Sequence, residues 1–88
     1  MTYTLVHLEL ADWNVARSAR QVMRQREFLK ALTVSGRDTA QAKVVLAGFE
    51  EALMAYRARR DQIREALDTQ REQQSLGLRP RWGTRRHW

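Results

Sequence analysis

The residues best equipped for chemistry crowd the last stretch of the chain. Arg79, Arg81, Arg85 and Arg86 stand beside Trp82 and Trp88, and residues 76–88 contain no acidic residue. Guanidinium groups pair with phosphate oxygens and indole rings stack on bases, so this composition suits a nucleic acid. It equally suits an acidic protein partner, docking of the tail onto the body of the protein, or the headgroup region of an acidic membrane. A solvating tail without a partner is the plain alternative, because chain ends are commonly poorly ordered.

Catalysis has far less to work with. His7 and His87 stand at opposite ends of the sequence, and there is no Cys. His7, Glu9 and Asp12 are not all three or four apart, as ligands sharing one helix face would be. The glycines, at 36, 48, 77 and 83, are scattered rather than gathered into a phosphate-cradling loop. An enzyme needs a nucleophile with its base, paired carboxylates in a cleft, or a metal constellation. The sequence therefore reads as a protein that is not an enzyme, with no catalytic, cofactor-binding or metal-binding residue.

The element that organises the chain runs from Asp38 to about Gln74. Leu46, Phe49, Leu53, Tyr56, Arg60, Ile63 and Leu67 alternate spacings of three and four, the seam pattern of coiled-coil helices. Ala42, Val45, Ala52 and Ala66 widen that stripe, as expected of a helix packed against more than one neighbour. Gly48 interrupts the run at a cost of about 1 kcal/mol, too little to break a helix this long. Asp38 is placed to cap the helix, with Gln41 three residues on completing a capping-box pattern. The opposite face mixes Glu50, Glu51, Arg57, Arg59, Asp61, Arg64, Glu65, Asp68 and Arg71, which reads as a solvated surface. Arg60 is the one cation in the seam. Its stem is expected to lie on the stripe with its head in water, the alternative being a polar layer that sets register.

A second helix precedes this one. Leu5, Leu8, Val15, Ala19, Val22, Leu29 and Leu32 recur at intervals of three, four or seven, with Asp12 and Gln25 or Arg26 interrupting the seam. Trp13, Ala16, Met23 and Phe28 form a flank, and Trp13 is expected to pack in a core or interface. An alternative start at Asp12 leaves residues 2–11 as an extended arm, Tyr3-Thr4-Leu5-Val6 being β-prone. The helix is expected over residues 4–34, the turn over 33–38 and the second helix over 39–74. Ser35-Gly36 supplies the turn, Gly36 being free to take positive φ. So short a connection joins antiparallel neighbours, and at 1.5 Å per residue the helices measure about 45 and 54 Å. Ser75-Leu76-Gly77 reads as the stop of the second helix and Pro80 as a bar to its continuation.

The resulting fold class is all-α, an antiparallel, coiled-coil-like two-helix hairpin over residues 1–75 followed by the basic tail. A chain of 88 residues makes one small domain, and two helices give it a thin core. Without Cys, disulfides cannot make up the deficit, so association between copies is the remaining route. The expected assembly is a homodimer, a four-helix bundle whose interface uses Leu46, Phe49, Leu53, Tyr56, Ile63 and Leu67. No apolar run reaches the roughly 20 residues that cross a bilayer, and no secretory signal is visible at the start. A cytoplasmic protein is the default. Of the net charge of +6, the tail supplies +4; the remainder holds 12 basic and 10 acidic residues. The helical body is thus nearly balanced, and the high pI overstates its affinity for nucleic acid.

Several short motifs point to relatives: Arg24-Gln25-Arg26-Glu27 in the first helix, Gly36-Arg37-Asp38-Thr39 at the turn, then Ala42, Leu46, Phe49-Glu50 and Arg60-Asp61. On these, residues 15–67 resemble a group of small uncharacterised helical-hairpin proteins of rhizobia and related alphaproteobacteria. Those proteins often carry a His near the position of Tyr56, a departure that weakens the idea of a shared site there. The resemblance implies a two-helix hairpin and supplies no catalytic residue. The expected function is a non-enzymatic oligomeric scaffold or adaptor acting through helix packing and its basic tail. The alternative is a small nucleic-acid-binding regulator that contacts phosphates through Arg79, Arg81, Arg85 and Arg86.

Overall fold

The computed structural model describes the backbone of residues 2–83 and the side chains of residues 2–74. Two helices account for nearly all of it: α1, Leu5–Val34, and α2, Ala40–Gly83. They pack side by side as an all-α hairpin, 77 Å along its greatest dimension and 22 and 16 Å across. The pairings show that the helices are antiparallel. Arg26 of α1 meets Glu50 of α2, and Asp12 meets Arg64. A step of two heptads back along α1 is thus matched by two heptads forward along α2, so the register does not slip over that length.

Each helix end has a local cause. The backbone N–H of Thr4, the residue before α1, donates to His7 Nδ1 at 2.9 Å, closing the first turn. Residues 5–11 are helical, so the extended arm considered for them does not form. At the other end Arg37 N–H donates to the Leu32 carbonyl (2.9 Å) and Gly36 N–H to that of Thr33 (3.1 Å). This is the Schellman pattern, and Gly36 takes the left-handed backbone it requires, with φ of 72°. Asp38 Oδ1 then accepts from the Ala40 N–H at 3.0 Å, satisfying one orphan donor of α2.

The far end of α2 departs from expectation. The helix continues past Gln74, through Ser75-Leu76-Gly77 and Pro80, to Gly83. One glycine costs only about 1 kcal/mol in a helix, and each added residue of a formed helix gains a backbone hydrogen bond. Proline forfeits its own bond, yet its fixed φ lies close to the helical value. Residues 76–83 therefore extend α2 rather than beginning a separate tail.

Among the described residues six are buried: Ala11, Ser18 and Val22 of α1, and Ala42, Leu53 and Ile63 of α2. With the half-buried Leu8, Val15, Gln25, Leu29 and Leu32, the α1 row runs 8, 11, 15, 18, 22, 25, 29, 32, alternating three and four throughout. The row expected from sequence lacked Ala11 and Ser18 and treated Gln25 as an interruption. The small Ala11 and Ser18 are 7% and 1% exposed, so α2 covers them fully. Asp12 and Arg26 do not interrupt this row; both stand exposed beside it and pair across to α2. Arg64, expected on a solvated face, reaches across to Asp12 at 3.9 Å.

Candidate functional site

The α2 stripe faces α1, and the structure divides its residues sharply. Ile63 is 2% exposed and Leu53 8% exposed, while Leu46, Phe49, Tyr56 and Leu67 remain half-buried. As the expected contact between copies, Leu53 and Ile63 thus need correction. Their apolar surface is already covered by α1 of the same chain. The hairpin consumes the centre of the stripe and leaves its shoulders open. Arg60 keeps its place in the row with a side chain 24% exposed, and its Nε and Nη2 each reach Asp61 Oδ1 at 3.1 Å. Its stem lies in the row and its head is met by a carboxylate, the arrangement expected of a snorkelling arginine.

Trp13 is not in a core. It is 55% exposed on the side of α1 turned away from α2, and the Arg17 guanidinium lies 4.9 Å from its ring centroid. A cation over an indole face at this distance is attracted by the ring quadrupole, and the spacing of four brings the two side chains together on one helix. Arg17 also donates to Asn14 Oδ1 at 3.4 Å. Val6 and Leu10 share that outer face and form a shallow concavity with Glu9 and Trp13. Spacings of four and three from Val6 to Trp13 were legible in the sequence as a stripe separate from the seam.

A second concavity, about 180 Å³, lies where the helices meet, lined by residues that include His7, Ala11, Asn14, Tyr56 and Arg59. The imidazole Nδ1 of His7 is committed to Thr4, whose hydroxyl oxygen is 3.1 Å from the same nitrogen. Tyr3 packs edge-on against that ring, with centroids 5.7 Å apart. Among the described residues, no group of three or more His, Asp or Glu stands together as a metal site would. No helix among them is long and apolar enough to cross a membrane.

The remaining expected site residues fall elsewhere. Arg79, Arg81 and Trp82 belong to the last turns of α2, but their side chains lie outside the described residues. Arg85, Arg86 and Trp88 lie outside them altogether. Compared with protein-family models, curated proteins and solved structures, the chain matches none.

Proposed function

We propose that this chain is a non-enzymatic scaffold or adaptor whose working form is a homodimer, two hairpins joined as a four-helix bundle. The supporting observation is the amount of surface a single hairpin leaves uncovered. The whole chain has an accessible area of 7054 Å², whereas a compact folded chain of 10.4 kDa exposes about 5,400 Å². The excess, about 1,650 Å², is more than the roughly 800 Å² per partner of a standard protein interface. Much of that surface is apolar: Leu5, Val6, Leu10, Trp13, Met23, Phe28, Val44 and Met54 are each more than half exposed. Light scattering over a dilution series, at low and high salt, tests the reading. Twice the chain mass, insensitive to salt, supports it; a folded monomer at every concentration overturns it.

A second reading, a nucleic-acid-binding regulator, draws on the cations of α1. Arg17, Arg20 and Arg24 recur at spacings of three and four, all exposed, and none pairs with a carboxylate among the described residues. Together with Arg79, Arg81, Arg85 and Arg86 they would supply phosphate contacts, whose affinity falls steeply with salt. Anisotropy titrations of a labelled duplex decide the matter. Salt-dependent binding that weakens when residues 76–88 are removed supports the regulator, and absence of binding at low salt ends it.

A further inference from the structure

The two flanks of the hairpin are unlike. On one, Arg26 meets Glu50 and Asp12 meets Arg64. Helical periodicity places Asn14, Gln21 and Phe28 of α1, with Val45, Ala52 and Ala66 of α2, on the other. These flanking positions carry no Asp or Glu, and the concavity between His7, Asn14, Tyr56 and Arg59 opens among them. Along α2 this side presents a second row, Val45, Phe49, Ala52, Tyr56, Arg59 and Ala66, spaced by three, four or seven. All but the exposed Arg59 are half-buried in the single chain.

Gly48 stands beside that row. Glycine is the least favourable residue in a helix interior after proline, and a Cβ built at position 48 meets nothing within 4 Å. Nothing in the hairpin itself requires the missing side chain. A second backbone approaching this side would require it, since glycine is the residue that admits such an approach.

We propose that the acid-free side of the hairpin, centred on Gly48 and Ala52, receives the same side of a second copy of this chain, α2 lying antiparallel on α2 about a two-fold axis. This rests on the dimer reading above and specifies the surface it uses. A two-fold interface matches one patch with itself, so the patch must tolerate its own charges. With the axis near Ala52, each Arg59 falls beside a Val45 and not beside the other Arg59. The row from Val45 to Ala66 is about 32 Å long, enough to lie along the same row of a second α2.

Sedimentation equilibrium of the full chain, the Gly48→Gln variant and an Arg57→Gln control tests the surface. Arg57 is exposed on the ion-paired side. Gly48→Gln is expected to raise the dimer dissociation constant about tenfold or more. Far-UV dichroism should show helicity unchanged or higher, glutamine being the better helix former. Arg57→Gln should leave the constant within about twofold, as an exposed charge outside the contact does. A dimer that Gly48→Gln leaves unaltered overturns this surface while the scaffold reading stands. A parent chain that is monomeric throughout overturns both.

Discussion

Gln25 donates its side-chain amide across the hairpin to the backbone carbonyl of Ala42, at 3.1 Å. The bond ties a polar residue of the α1 row to the first turns of α2, close to the turn. A glutamine in an otherwise apolar seam is costly unless its amide finds a partner, and here it does. Gln25→Ala should lower stability by about 1 kcal/mol, the net worth of such a bond. Urea denaturation followed by dichroism measures it, and an unchanged midpoint would show that the bond contributes nothing.

Ser18 presents the opposite case. It is 1% exposed, and among the described residues its hydroxyl has no hydrogen-bond partner. Removing an unsatisfied buried group relieves its desolvation cost, about 1 kcal/mol or more, and alanine is also the better helix former. Ser18→Ala should therefore stabilise the protein. Ser18→Leu, which overfills the same close contact, should destabilise it by about 1–3 kcal/mol. Thermal melts of the two variants must move in opposite directions.

His7 occupies the third position of α1, where a capping box usually places Glu or Gln. Its Nδ1 accepts from the Thr4 N–H at 2.9 Å. His7→Ala should fray the first turn at a cost of about 0.5–1 kcal/mol, and His7→Gln should restore the acceptor. Amide hydrogen exchange at residues 4–8 reads this directly; equal protection in both variants would mean the imidazole is not the cap.

Leu53 and Ile63 are buried within one chain, so their truncation should act on folding before assembly. Leu53→Ala and Ile63→Ala should each cost about 2–5 kcal/mol. The loss should appear as reduced helicity even in dilute samples. Full helicity in a dissociated monomer would place these side chains between copies instead.

Much of this architecture is written in local chemistry. The alternation of three and four along α2 requires a helix with one apolar row, and Leu46 to Leu67 occupy that row in the structure. Gly36, the residue able to turn the chain through positive φ, does so with φ of 72°. These features depend on neighbours within a turn of one another, which sequence spacing captures. The partner of each row depends on the other helix, and spacing is silent there. Ala11 and Ser18 carry little hydrophobic signal, yet close approach of α2 buries them, while the larger Trp13 and Phe28 stay exposed. Gln25, read alone, breaks a stripe; only the packed pair sets the Ala42 carbonyl within its reach. Arg60 finds its carboxylate next door on α2, at Asp61, but the other two ion pairs among the described residues cross the hairpin, where the antiparallel register brings Arg26 to Glu50 and Asp12 to Arg64.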